Sequence, residues 1–351
     1  MIRVMIVDDS RMVRRILREI LESDPEVRVI EEAEDGAEAV EKCVALGPDV
    51  VLMDIQMPVM DGLQAVEAIM RERPTPVIIL SATVSPGEVK SAFRAVRAGA
   101  FEALAKPEGV TSPRVYAAVA ADLLARVKLY ARVGRRKGWG AEEMEAPQLR
   151  MPAASPRVVG IGASTGGPRT VQAILSALPP AFPCPILVVQ HISLGFTRGF
   201  ASWLQRETNR EVKIVERSER LVKGSVYLAT DGNHLEVRGG MAVLTQVPPV
   251  NACRPSVDVL FSSLAREYGS YAVAVLLTGM GRDGANGAAA VRGAGGEVVV
   301  QDEESCVVFG MPKAAIDLGA ASRVVPARLV PRTLAEIVGP GGAEAAKERI
   351  A

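Results

Sequence analysis

Histidine is scarce in this sequence: His191 and His234 are the only two in 351 residues. A reaction that needs an ordinary proton acceptor near neutral pH therefore has two imidazoles to draw on. Cysteine is nearly as sparse. Cys43, Cys184, Cys253 and Cys306 lie far apart with no C-x-x-C pair, which argues against a disulfide framework or a zinc ribbon and for small buried residues in a reducing compartment. Neither sign of charge predominates, with 41 Lys and Arg against 41 Asp and Glu. The chain thus offers no basic field for nucleic acid or an anionic membrane surface. No apolar run reaches the ~18 residues of a membrane-spanning helix. The opening stretch, MIRVMIVDDS, is charged too early for a secretory leader. The expectation is a cytoplasmic protein with no nucleic-acid partner and no membrane insertion.

What is present is a rhythm. The first third alternates apolar runs (RVMIVDD, VRVIEEA, DVVLMD, PVIILSA) with amphipathic stretches (RMVRRILREILES, GAEAVEKCVAL, GLQAVEAIMRE). The runs are too continuously apolar for a half-exposed sheet and predict βα units around a buried parallel sheet. FEALAK supplies a last strand, and a helix over about residues 115–133 closes the domain. GRRKGWGAEEMEAPQLRMPAASP, rich in charge, glycine and proline, then reads as a linker. The rhythm resumes in RVVGIGAS, PILVVQH, AVAVLLTG and GEVVVQD. Between them GSVYLATDGNHLEVRGGMAVLTQ predicts a hairpin region, with turns at Asp231-Gly232 and Gly239-Gly240. The fold class is α/β with two doubly wound parallel-sheet domains, the second carrying a β-hairpin insertion. The expected limits are residues 1–125 for the first domain, 126–155 for helix end and linker, and 156–345 for the second.

In open α/β sheets ligands gather at the carboxyl ends of strands. In the first domain those ends carry Asp8 and Asp9, Asp54, Ser81 and Lys106. Three carboxylates in one crevice repel one another unless a cation joins them, and oxygen donors suit Mg²⁺. A carboxylate facing a lysine and a hydroxyl in such a place can accept a phosphoryl group. VDDS, MDIQMPVMDG, ILSA and LAKP resemble the signature of bacterial response-regulator receiver domains, whose fold is flavodoxin-like. The resemblance implies that Asp54 is the phospho-acceptor, that Asp8, Asp9, Asp54 and the Gln56 carbonyl hold Mg²⁺, and that Ser81 and Lys106 meet the phosphate. A histidine kinase would be the donor. Receivers usually place an aromatic residue three before the lysine; here that position is Ala103, with Phe101 close by in sequence.

In the second domain GIGASTGG, residues 160–167, can be parsed as a glycine-rich dinucleotide turn or as a G-x-S-x-G elbow exposing Ser164. A dinucleotide fold requires an acidic residue at the end of the next strand. That strand, CPILVVQH, ends in Gln190-His191 instead. An imidazole at the same sheet edge as a serine favours the elbow. For the acid that orients His191, Asp283 in MGRDG ranks first because it lies at another strand end; Asp258 and Asp302 are alternatives. Cys253 is set aside as a rival nucleophile, because His234 shows no link to it. A helix near residues 168–178 directs its free N–H groups and dipole at a developing oxyanion.

GASTGGP, VVQHI, PPVNACRPSVDVLF, LLTGMGRDGANG and QDEESCVVFGMPKAA resemble the catalytic domain of the CheB family of chemotaxis protein-glutamate methylesterases, over about residues 156–340. The receiver-linker-esterase order is the same. The resemblance implies Ser164 as nucleophile, His191 as base, Asp283 as orienting acid, Thr165 beside the site and the Met280 backbone as an oxyanion donor. It implies a Rossmann-like domain that removes methyl esters from glutamates of chemoreceptor cytoplasmic helices and deamidates glutamines there, with no cofactor for the hydrolysis. This sequence departs from the family pattern in ISLGFT after the base, at Cys253 where histidine is frequent, and at Thr230 where proline is common. The alternative reading is a non-catalytic, phospho-switched binding module with an inert Ser164.

Overall fold

The computed structural model describes residues 1–81, 86–107, 113–134, 144 and 157–339. The chain divides into two compact units, Met1–Gly140 and Ala141–Ala351. Most of the segment read as a linker, and residues 340–345 of the second expected domain, lie outside the described residues.

The first unit alternates strands β1 Ile2–Val7, β2 Val27–Ala33, β3 Val50–Asp54, β4 Val77–Ser81 and β5 Glu102–Ala105 with helices α1 Arg11–Glu22, α2 Gly36–Leu46, α3 Gly62–Glu72, α4 Pro86–Ala98 and α5 Pro113–Gly134. All strand pairs are parallel, in the order β2-β1-β3-β4-β5. The apolar runs VVLMD and VIILS form β3 and β4, every residue of which is buried. Order reverses between β1 and β3, and the crevice at that switch point collects ligands in such sheets. Asp8, Asp9 and the end of β3 stand there.

The second unit is built on seven parallel strands, ordered β15-β14-β13-β6-β7-β10-β8. In chain order they are β6 Val158–Ala163, β7 Ile186–Gln190, β8 Val212–Val215, β10 Val226–Ala229, β13 Ala272–Leu276, β14 Glu297–Gln301 and β15 Arg323–Val325. A separate antiparallel sheet, β11-β12-β9, comprises β9 Ser218–Arg220, β11 His234–Arg238 and β12 Met241–Thr245. Helices α6 Gly167–Ala177, α7 Thr197–Thr208, α8 Val257–Tyr268, α9 Ala285–Gly293, α10 Met311–Asp317 and α11 Val330–Val338 complete the unit.

The hairpin expectation needs a correction. Only β11 and β12, turning at Gly239-Gly240, form the hairpin. VYLA joins the parallel sheet as β10, between β7 and β8. All four of its residues are buried, whereas a hairpin strand with one wet face alternates.

Helix α8 lies against β6, and the glycines of GIG make this possible. A Cβ at Gly162 would stand 2.2 Å from Val257 Cγ1, and one at Gly160 2.5 Å from Leu264 Cδ1. Those glycines serve close helix-on-strand packing, over a core that includes Phe261, Leu260, Leu264, Val298 and Leu276.

Candidate active site and phosphorylation crevice

Register between β6 and β7 brings the first two predicted residues together. Ala163 pairs with Gln190, so Ser164 and His191 leave adjacent strands at the same level. The His191 N–H donates to the Ala163 carbonyl at 3.0 Å, and the Ser164 N–H to Thr278 at 3.0 Å. Gln190, buried beneath them, donates from Nε2 to the carbonyls of both Ser164 and His191, each at 2.8 Å. Sequence reasoning passed over this brace, which looked like a missing carboxylate. After Ser164 the chain turns through Gly166 at φ +78°, and a Cβ there would meet Val307 Cγ2 at 2.6 Å. Only glycine suits such a turn. Helix α6 starts at the next residue.

Asp283 reaches the same edge from the loop between β13 and α9. Its Oδ2 lies 2.9 Å from His191 Nε2. The carboxylate, 2% exposed, also accepts from Asn251 Nδ2 at 2.9 Å, Ser256 Oγ at 2.6 Å and the Val257 N–H at 2.7 Å. It therefore closes the N-terminus of α8 as well as holding the imidazole. Burial opposes its charge, but the bonds from His191, Ser256 and Asn251 outweigh burial and hold it at about 2. Burial likewise disfavours the His191 imidazolium; the Asp283 bond and the neighbouring Cys253 sulfur prevail and raise it to about 9.

Neither alternative acid bonds to the His191 ring among the described residues. Asp258 accepts from the Gly287 N–H and Asn251 Nδ2, and Asp302 from Ser305. Thr165 is buried, its carbonyl accepting from Thr278 Oγ1 at 2.9 Å. Met280, 53% exposed, occupies the loop between Gly279 and Asp283. Among the described residues no hydrogen bond joins the Ser164 hydroxyl to the His191 ring. Catalytic contacts of this kind are often loose without substrate and tighten in the complex.

The second imidazole has a different job. His234 is fully buried in β11; its Nδ1 accepts from the Ser256 N–H at 3.1 Å, and its Nε2 faces the Pro248 carbonyl at 3.3 Å. Burial lowers its pKa, and the ring fastens the hairpin to the start of α8. The sequence links Cys253 to no histidine, since His234 shows no link to it. Cys253 stands instead beside His191, with Sγ 3.9 Å from Nδ1. The sequence separation of 62 residues gave no signal of this.

In the first unit Lys106 Nζ lies 2.8 Å from Asp8 Oδ2 and 3.0 Å from Asp54 Oδ2. Burial raises the Asp54 carboxyl to about 6 against the pull of Lys106, and Asp8 and Asp54 keep Lys106 raised against its own burial. Ligand atoms of Asp8, Asp9 and Asp54 lie within 4.8 Å of one another; an all-carboxylate set of this kind fits a hard cation such as Mg²⁺. Ser81 is buried at the end of β4, its carbonyl accepting from the Lys106 N–H, and Gln56 is exposed two residues beyond Asp54. Ala103 is buried in β5, and Phe101 already packs on Tyr130, ring centroids 4.7 Å apart.

Comparison with known proteins assigns both units to families. Residues 159–334 match the family model described as CheB methylesterase, and residues 4–118 that of the response regulator receiver domain. The chain belongs to the CheB family. A protein-glutamate methylesterase/protein-glutamine glutaminase of Myxococcus xanthus is 44% identical over 333 residues, 92% of this chain and 93% of that one. A CheB relative of the same description in Thermotoga maritima is 40% identical over 341 residues, 96% of this chain and 98% of that one. The crystal structure of the Thermotoga maritima CheB methylesterase catalytic domain, 43% identical, superposes with a TM-score of 0.50 over 52% of this chain and 98% of that chain. Among the described residues no helix is long and apolar enough to cross a membrane.

Proposed function

We propose that this CheB chain hydrolyses γ-methyl esters of glutamates on chemoreceptor cytoplasmic helices, and γ-amides of glutamines there, through Ser164, His191 and Asp283. The observation that carries this is the 2.9 Å His191–Asp283 bond at the strand edge shared with Ser164. Asp283 holds Nε2, so Nδ1 is the nitrogen left to take the Ser164 proton. The serine oxygen attacks the ester carbonyl. The Met280 N–H and the N–H groups at the start of α6 would donate to the negative oxygen that forms. The imidazolium returns its proton to the departing methanol, or to ammonia from an amide. Water, deprotonated by His191, then releases the glutamate from Ser164.

Asp54 is the proposed site of phosphorylation, with a histidine kinase as donor. Asp8, Asp9, Asp54 and the Gln56 carbonyl would hold Mg²⁺, which supplies charge neutralisation for the transferring group. Lys106, already between Asp8 and Asp54, pairs with the phosphate, and Ser81 donates to it. The phosphorylated receiver raises esterase activity.

Methanol release from methylated receptor membranes, with and without a small phosphodonor and Mg²⁺, tests both halves. Wild-type release is expected to rise with the donor, and Ser164→Ala to lower it by at least about 10³-fold. Release indifferent to Ser164→Ala would refute the triad. No release from wild type, with Asp54 still phosphorylated, would favour the binding module, which the curated relatives' descriptions do not support.

A further inference from the structure

Asp283 engages one ring nitrogen of His191; the other faces sulfur. Nδ1 lies 3.9 Å from Cys253 Sγ, and that sulfur lies 3.4 Å from the Asn251 carbonyl oxygen. Cys253 comes from the turn leading into α8, His191 from the end of β7 and Asp283 from the loop after β13. One ligand atom from each falls within 4.8 Å of the others. Cys43, Cys184 and Cys306 are buried, whereas Cys253 is partly open to solvent.

We propose that Cys253 Sγ and His191 Nδ1 form a binding site for a soft divalent cation of the zinc class, and that a cation bound there silences the esterase. Zinc sits about 2.3 Å from thiolate sulfur and about 2.0–2.1 Å from imidazole nitrogen. At a tetrahedral angle those bonds place the two donors about 3.5 Å apart. The observed 3.9 Å is a few tenths longer, a gap that a small side-chain rotation closes. Asp283 on Nε2 supplies the outer carboxylate with which metal-binding histidines are characteristically held, fixing the tautomer that presents Nδ1 as a lone pair.

The chemistry balances simply. The Cys253 S–H bond breaks and, below about pH 9, so does the His191 Nδ1–H bond; a sulfur–metal and a nitrogen–metal bond form, both protons pass to solvent, and the metal remains divalent with no electron transferred. Nδ1 donates to the cation the lone pair with which it would otherwise accept the Ser164 proton. Magnesium is no rival at this place, because thiolate and imidazole select softer ions; the carboxylates of the receiver crevice select harder ones. The silencing rests on the proposed role of His191 as base. The binding does not.

Cobalt(II) added to the full chain tests the two claims separately, because a thiolate-to-cobalt charge-transfer band in the near ultraviolet reports sulfur ligation and is blind to the carboxylate crevice. The band is expected in wild type and in Ser164→Ala, abolished in Cys253→Ser and displaced by zinc. Saturating zinc is expected to slow wild-type methanol release by about 10²-fold, the lower range for loss of a general base, with Cys253→Ser resisting that slowing. A missing band in wild type, or one that persists in Cys253→Ser, overturns the site. A band with no zinc inhibition, or equal inhibition of both proteins, overturns the silencing. Failure of the catalytic reading shows itself differently, as release unaffected by Ser164→Ala.

Discussion

At the scale of single residues, the proposed chemistry turns on how one carboxylate is surrounded. Asp283 accepts from His191, Asn251, Ser256 and the backbone of Val257, and the resulting anion raises the imidazole. The sign of the pH dependence follows. Below about 9 the His191 ring carries a proton and cannot take another, so methanol release should climb with pH up to that point and then level. Asp283→Asn removes the charge that holds the proton. Its profile should level at lower pH, nearer the ordinary 6.5, while the plateau rate falls by about 10²–10⁴-fold. A pH series of initial rates on the two proteins checks both shifts; coincident profiles would mean that Asp283 does not set the base. Much of this was legible in advance. With two histidines in the chain, the base could be narrowed by the strand end at which each stood. Asn251, Ser256 and Cys253 were not, because hydrogen bonding across a left-handed turn leaves no periodic trace: Asn251 and Ala252 have φ of 52° and 61°, which no apolar pattern announces.

At the scale of elements, the strands that could be read are those buried on both faces. VVLMD, VIILS and AVAVL carry continuous apolar runs because nothing in them meets water. Strands β9 and β15, three residues each and mostly exposed, gain from backbone pairing more than from burial, and their sequences show no run to find. The elbow between β6 and α6 was legible from its glycines. Gly166→Ala would put a Cβ 2.6 Å from Val307 Cγ2 in a left-handed conformation. A loss of about 1–3 kcal/mol is expected, along with a displaced Ser164 and a fall in kcat. Thermal unfolding of the variant measures the first. An unchanged midpoint would show that the turn relaxes without strain.

Taken as a whole molecule, the chain couples a receiver and a hydrolase of opposite donor chemistry, carboxylate oxygens in one and hydroxyl, imidazole and thiol in the other. Phosphorylation should therefore be separable from hydrolysis by substitution. Asp54→Asn should take up no label from a radioactive small phosphodonor with Mg²⁺, and should keep unstimulated methanol release while losing the rise. Ser164→Ala should label normally. If Asp54→Asn still labelled, another carboxylate would be the acceptor. The two-unit architecture was clear from the recurrence of the βα rhythm after a polar break. The place of VYLA was not, since Asp231-Gly232 signals a turn without saying which sheet the preceding strand joins.

The carboxylate bonded to the imidazole also terminates helix α8, and under the proposed triad this gives the enzyme two unequal ways to fail. Losing the Ser164 hydroxyl costs the fold almost nothing, since that group has no hydrogen-bond partner among the described residues, and under the proposed mechanism should leave a stable, inactive chain whose receiver still takes up phosphate. Losing the Asp283 carboxylate strands the donors of a buried helix start, at about 1–3 kcal/mol, and exposes the chain to cellular proteolysis. Steady-state abundance in cells should accordingly fall for Asp283→Ala and hold for Ser164→Ala, so that the first lesion clears itself and the second persists as a competitor.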